Sequence, residues 1–532
     1  MSTATGYDFK AETERLHFPD ITLRGMTLNR ATARVELTGP MERPEMEEIR
    51  KSHAAAIFPN TLDPHSPVLE LGWPVAGPYV GCPSGVYMDL YLGVAQKLID
   101  ENHPALHRVA GALERHGLLF RREINTDDYL RVADGIEGVT GPAELAALLD
   151  GLAASRWPSA GGSKTFFSNS GAEAVEAALK LCWVVKYKKF IELHGMDMLR
   201  RVQKELGAAE VGYFANDGDA PVFSDYPFVV VAMEGSFHGR TLGALHGTRS
   251  RAAHHLGYPK SGGVQHIAFN AAAEDVAAKI DPRPIAEVLD APGGVRAVLQ
   301  QGRIPADLFA GILSEPFQGE GGYIPATPAF FAACEEVCRK HDALLVSDEV
   351  QTFGRTGTLF MTEQLGVTPD AVVLAKGAVV GATLGRADLT RYLHTGWHSN
   401  TFGGGKIFDV NFAHAVVDVV ANERNPVFDG LSYPENCAVK GDYLQAALDR
   451  IAERLPGMLT GHEGRGLMHG VTVRRREAVL QEGWRRGLKL IGCGPAGEQA
   501  RVRLLFLADT LAREIDDFAR VFEETLAAVE SS

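Results

Sequence analysis

Lys376 closes a short apolar run, Ala371-Val372-Val373-Leu374-Ala375, and Gly377 follows at once. The run is too short for a typical helix and rich in valine, so it predicts a buried strand. A lysine at the end of such a strand stands at a sheet edge, where α/β enzymes place their sites. A solvated loop lysine is the plainer reading, since lysine is seldom buried. Twenty-eight residues upstream, a second run, Ala343-Leu344-Leu345-Val346-Ser347, ends in Asp348-Glu349-Val350-Gln351. An amine and a carboxylate at two strand ends suit pyridoxal phosphate, whose aldehyde needs an amine and whose ring nitrogen needs an acid partner.

Three more segments carry usable chemistry. Ser168-Asn169-Ser170-Gly171-Ala172-Glu173 joins a predicted strand to a predicted helix. Ser170 and Gly171 would lie at the helix N-terminus, where free N–H groups and the dipole bind phosphate. An ordinary serine cap reads the same way. Glu234-Gly235-Ser236-Phe237-His238-Gly239-Arg240-Thr241 follows a further strand. Phe237 could stack on a flat heterocycle, and His238 could support the site from behind or be a satisfied structural histidine. Arg240 has the planar fork that clamps a carboxylate, or is a surface charge. Ser314-Glu315-Pro316-Phe317-Gln318-Gly319-Glu320-Gly321-Gly322 puts Glu315 and Glu320 on a glycine-rich loop, either a shaped site loop or a solvated turn.

The surrounding sequence must position these groups. The chain has 532 residues, 45% hydrophobic and 23% charged, which suits a soluble globular protein of two or more domains. A formal net charge of −14 argues against nucleic acid as a partner. No stretch reaches the length of a membrane span, and the first residues lack the basic and apolar parts of a secretory signal. Six cysteines make no disulfide framework; Cys334 and Cys338 share a helical face, but nothing completes a metal site, so packing thiols in a reducing cytoplasm are expected. From about residue 160 strands and helices alternate. Strands are predicted at 165–168, 228–233, 311–313, 344–347 and 372–375, with helices at 173–190 and 328–341. This alternation predicts an α/β fold with a mostly parallel sheet flanked by helices. Segments 195–225 and 282–306 read as surface insertions. Beyond about 410, helices at 409–422 and 440–454, strands near 470–473 and 501–507, and a helix at 512–529 predict a smaller α+β domain.

The ordered series of motifs resembles the class III, fold-type I, pyridoxal-phosphate aminotransferases, the group of ornithine, acetylornithine, 4-aminobutyrate and lysine ε-aminotransferases. The matching pieces are SNSGAEAVEAALKL (168–181), FHGRT (237–241), EPFQGEGG (315–322), DEVQT (348–352), FGRTG (353–357), PDAVVLAKG (369–377), TFGG (401–404), GRGLM (464–468) and RLL (503–505). The resemblance implies that Lys376 attaches the cofactor and then shuttles the substrate's proton, and that Asp348 keeps the ring nitrogen protonated. It implies that Gln351 bonds the ring's phenolic oxygen, and that Val350 and Phe237 cover its two faces with His238 and Glu315 alongside. Ser170, Gly171 and Ala172 would hold the phosphate. Thr401 would reach the phosphate of the neighbouring subunit, which implies a homodimer with shared sites. Arg240 would clamp one substrate carboxylate and Arg503 a second, with Glu320 neutralising Arg503 when no carboxylate is present. The implied organisation is an N-terminal extension (1–65), the first part of a small domain (66–105), a large cofactor-binding domain (106–405) and the rest of the small domain (406–532). The expected activity is ping-pong transfer of an amino group from an ω-amino or diamino acid to a 2-oxo acid, in the cytoplasm. An amino-acid racemase or epimerase on the same fold, or a cofactor-free binding protein, are the alternatives.

This sequence departs from the family pattern in several places. One glycine fewer separates DEVQT from FGRTG. Gly405-Lys406 follows TFGG where Asn-Pro is usual, Phe506-Leu507-Ala508 follows RLL where Pro-Pro-Leu is usual, and Ser314 replaces a common valine. None touches Lys376 or Asp348, but all bear on the substrate channel.

Overall fold

The computed structural model describes residues 18–56, 69–119, 132–158, 161–206, 227–251, 254, 258, 263–399, 406–425, 430–495, 497 and 500–532. Its centre is a seven-stranded sheet made of β1 (Ser163–Ser168), β2 (Val229–Met233), β3 (Val264–Ile267), β4 (Phe309–Ser314), β5 (Leu344–Asp348), β6 (Ala371–Leu374) and β7 (Gly381–Arg386). Its spatial order is β1-β7-β6-β5-β4-β2-β3. Every neighbouring pair is parallel except the two that involve β7. The strands β2, β4, β5 and β6 are buried throughout, as unbroken apolar runs must be when helices cover both faces. The sheet is therefore mostly parallel, as the alternation predicts. Two of its strands lacked a sequence signal: β3 is only half-buried, and β7 is interrupted by glycines.

Helix α1 (Gly171–Leu206) packs across the sheet and kinks at Gly195, whose φ of 80° no L-residue adopts cheaply. The segment 195–225 thus begins as helix, and its remainder lies outside the described residues. Helix α2 (Pro328–Lys340) starts where Thr327 accepts a hydrogen bond from the Phe330 N–H at 3.2 Å, with Pro328 at its first position. The 282–306 segment carries the helices Ile285–Asp290 and Gly294–Gln300, and its end, Ile304–Pro305, pairs in parallel with Ile280–Asp281 just before it.

The C-terminal part contains α3 (Ile407–Asn422), α4 (Tyr433–Arg454) and α5 (Ala512–Ser531). It also holds an antiparallel sheet of β8 (Leu459–Arg465), β9 (Met468–Val473), β10 (Ile491–Cys493) and β11 (Arg501–Leu505), in the order β8-β9-β11-β10. Residues from the N-terminal segment pack into this part. Glu36–Leu37 pairs with Gly85–Asp89, which also pairs with Leu488–Lys489. Arg30 is buried, with its Nε 2.8 Å from Glu514 and its Nη1 2.8 Å from Asp509 and 3.2 Å from Asp100. One N-terminal arginine thus ties the start of the chain to α5. All six cysteines are free and buried. No described helix is long and apolar enough to cross a membrane.

Candidate active site

Parallel strands deliver their following residues to one edge of a sheet. Asp348 ends β5, Lys376 follows β6 by two residues, Glu315 follows β4 directly, and the Glu234–Arg240 turn follows β2. Because β7 runs the other way, its first residue, Gly381, lies beside Ser168 at the end of β1. A Cβ on Gly381 would stand 2.5 Å from the Ser170 carbonyl oxygen, so only glycine lets the two strand ends meet there.

Lys376 opens a 3-10 turn at a φ of 49°, a left-handed conformation that costs energy for a residue with a side chain. Its side chain is crowded by protein while keeping part of its surface open. Burial pushes its ammonium down to about 8. Arg503 acts in the same direction, and Glu320, Asp348 and Glu315 oppose.

Asp348 is fixed at both oxygens. The Val350 N–H donates to Oδ1 at 3.1 Å, and His238 Nδ1 lies 2.7 Å from Oδ2. His238 is itself buried, held by its own N–H on Thr248 Oγ1 at 3.0 Å. Its Nε2 has no partner among the described residues. Glu315 accepts the Phe237 and Gly319 N–H groups at 3.0 Å each. Burial pushes its carboxyl up to about 7, against the pull of His238.

The structure brings the Ser170-Gly171-Ala172 turn to this cluster. A Cβ on Gly171 would lie 3.2 Å from Val350 and 3.3 Å from Ala375, and one on Gly239 would lie 2.5 Å from the Ala172 Cβ. Ser170 Oγ accepts the Glu173 N–H at 3.3 Å, so it also caps α1. Gln351 is buried and accepts from the Tyr323 hydroxyl at 3.2 Å.

Glu320 and Arg503 meet at 2.7 Å, and the arginine side chain is only 1% exposed. Burial alone would raise the Glu320 carboxyl, but Arg503, Arg251 and Lys376 hold it below the usual carboxylate range. Arg503 keeps its charge despite burial because Glu320 stands beside it. Its Nε and Nη1 have no partner among the described residues.

Phe237 and Arg240 lie towards the outside. Phe237 packs edge-on against His254 with ring centroids 5.3 Å apart, and the exposed Arg240 has its guanidinium carbon 5.9 Å from the Phe237 ring. Thr401 lies outside the described residues. Two residues at the cluster had no sequence signal. Tyr323 trails a glycine pair, and Arg251 sits in a basic stretch that reads as surface.

A pyridine ring that carries an aldehyde, a basic ring nitrogen and a phosphate needs an amine, an acid and a small-residue helix start. Lys376, Asp348 and the Ser170–Ala172 turn supply these from adjoining strand ends, and the donor set fits pyridoxal phosphate. The comparisons agree. The family profile described as "Aminotransferase class-III" matches residues 80–525. The chain belongs to this family, the fold-type I, pyridoxal-phosphate-dependent class III aminotransferases. Among its curated relatives, the acetylornithine aminotransferase of Xanthomonas axonopodis pv. citri is 32% identical over 423 residues, covering 77% of this chain and 82% of that one. The putrescine aminotransferase of Pectobacterium atrosepticum is 28% identical over 465 residues, covering 85% and 81%. The lysine aminotransferase from M. tuberculosis shares the fold, with a TM-score of 0.66 at 24% identity, covering 91% of this chain and 99% of that one.

Proposed function

We propose that this enzyme transfers an amino group from an ω-amino or diamino acid, of the 4-aminobutyrate, ornithine or lysine type, to a 2-oxo acid such as 2-oxoglutarate or pyruvate by a ping-pong route. The relatives named for acetylornithine and putrescine support a donor whose reacting amine is at a chain end. The observation that carries the reading is the buried Glu320–Arg503 pair within electrostatic reach of Lys376. A donor that presents a terminal amine brings no carboxylate to the reacting carbon, and an α-oxo acid does. An arginine that is neutralised by a movable carboxylate serves both in one pocket.

When bound, pyridoxal phosphate supplies the aldehyde that takes up nitrogen and a ring that accepts electrons. The chain's own groups do the rest. Lys376, depressed to about 8, presents a sizeable neutral fraction near physiological pH and moves the proton at the substrate's reacting carbon. Asp348, aimed by the Val350 N–H and backed by His238, would hold the proton on the ring nitrogen. Gln351, which accepts the Tyr323 hydroxyl, would bond the ring's phenolic oxygen, and Val350 would pack on one ring face. Phe237 would cover the other face, and Ser170, Gly171 and Ala172 would hold the phosphate, with Thr401 of the partner subunit completing the grip in the homodimer that this reading implies. Arg240 receives the distal carboxylate of the substrate. The free buried cysteines support a cytoplasmic setting.

The test is a panel of ω-amino, diamino and α-amino donors, each assayed against pyruvate and against 2-oxoglutarate. Terminal-amine donors should give the highest kcat/KM. Preference for α-amino donors alone, with no turnover of any terminal amine, refutes the assignment.

A further inference from the structure

Glu320 touches two arginines. Its Oε1 lies 2.7 Å from Arg503 Nη2, and its Oε2 lies 3.5 Å from Arg251 Nη2. The two cations differ in setting: the Arg503 side chain is 1% exposed and that of Arg251 is 45% exposed. Both also donate to one carbonyl, that of Gly492, at 3.2 Å from Arg503 and 3.4 Å from Arg251. The Glu320 backbone is pinned, because its carbonyl accepts the Gly494 N–H at 3.0 Å. Only the side chain is left to move.

If Glu320 is to release Arg503 for a substrate carboxylate, it must leave a buried cation without becoming an unpaired charge itself. An unpaired carboxylate in a shielded site costs far more than one that exchanges one cation for another. Arg251 is a second cation already in range of the other oxygen, on the more exposed side. We propose that Arg251 is a positioning residue that receives the Glu320 carboxylate when Arg503 turns to a substrate carboxylate, and so sets the balance between α-carboxylate substrates and terminal-amine donors. The inference rests on the Glu320–Arg503 exchange described above.

The experiment uses the holoenzyme and compares the wild type with Arg251→Gln, Arg251→Lys, Glu320→Ala and the Glu320→Ala/Arg251→Gln double variant. The probes are L-glutamate and 4-aminobutyrate as donors, and glutarate as a non-reacting dicarboxylate whose binding is read by calorimetry. Arg251→Gln should raise the KM for L-glutamate relative to that for 4-aminobutyrate by about threefold, the range of a partly exposed ion pair. Glutarate should weaken in parallel, and Arg251→Lys should restore much of both effects. In the Glu320→Ala background, Arg251→Gln should change neither ratio further. A uniform shift of both donors, no shift, a shift towards L-glutamate, or an undiminished effect without Glu320 overturns the proposal; the last would make Arg251 a direct substrate contact. If Glu320→Ala itself leaves the donor ratio unchanged, the exchange at Arg503 fails. If Glu320→Ala moves the ratio and Arg251→Gln does not, only the role of Arg251 fails.

Discussion

Lys376→Met should stabilise the cofactor-free protein, and the gain should vanish in alkali. Methionine keeps an unbranched apolar stem and removes the ionisable group. The lysine is depressed from 10.5 to about 8, chiefly by burial, and that gap corresponds to a penalty on the folded state of about 3 kcal/mol. The sign follows from proton counts. Below pH 8 both the folded and the unfolded chain hold the proton, and the folded chain bears the whole penalty. Between 8 and 10.5 the unfolded chain binds more protons, so the wild type gains stability as pH rises. Above 10.5 both are neutral. The variant should therefore exceed the wild type by about 3 kcal/mol at pH 7 and by under about 1 kcal/mol at pH 10. Urea unfolding of the two cofactor-free proteins at both pH values measures this, and taking their difference cancels the titration of every other group. A difference equal at pH 7 and pH 10 would show that the effect is packing and that Lys376 carries no burial penalty. The left-handed φ is common to both proteins and drops out.

If Asp348 faces the ring nitrogen as proposed, Asp348→Asn removes the charge there but keeps the shape, so single-turnover rates should fall on the order of 10²-fold or more while cofactor still binds; unchanged rates would assign that role to another acid. Gly239→Ala puts a Cβ 2.5 Å from that of Ala172 at a φ of +125°, so it should loosen the Ser170–Ala172 turn and raise the cofactor's dissociation constant, read by equilibrium dialysis. Arg30→Met strands Asp100, Asp509 and Glu514 without their shared cation. It should cost about 3–5 kcal/mol, seen in urea unfolding, and a near-neutral effect would mean that the three acids find other partners.

The large sheet was legible wherever burial on both faces wrote an unbroken apolar run, as in Val229-Val230-Val231 or Ala371–Leu374. It was not legible at β7, where Gly381 and Gly385 are small because a neighbouring chain segment approaches, and closeness of approach leaves no periodic trace. The N-terminal segment looked patternless because its anchors lie far along the chain, among them a buried arginine whose partners come some 70 to 480 residues later. In Phe506-Leu507-Ala508, Phe506 and Ala508 lie in the core, the Phe506 carbonyl accepts a hydrogen bond from the buried Arg355, and Leu507 packs in the cluster that holds Tyr323. That stretch joins the two parts of the protein. Tyr323 and Arg251 were invisible because their relevance depends on Gln351 and Glu320 being brought to them.

The four acids that follow strands show how far residue type alone can go. Asp348, Glu349, Glu315 and Glu320 look alike as carboxylates after apolar runs or on a glycine-rich loop, and all four are shielded. Their fates diverge through their partners. Glu349, next to Asp348, faces away and accepts the Met361 N–H at 3.0 Å, the Thr362 N–H at 2.9 Å and the Thr362 hydroxyl at 3.0 Å, so it ties the loop after β5 together. Glu315 accepts two N–H groups, yet burial still pushes it up to about 7, so near neutrality it is partly protonated and adds less than a full negative charge beside Lys376. Glu320 alone has two arginines and stays ionised. Asp348 faces His238, whose other nitrogen has no partner among the described residues. What sets Asp348 apart from the other three is a histidine behind one oxygen and a backbone N–H on the other, which hold the carboxylate still and suit it to the role proposed for it.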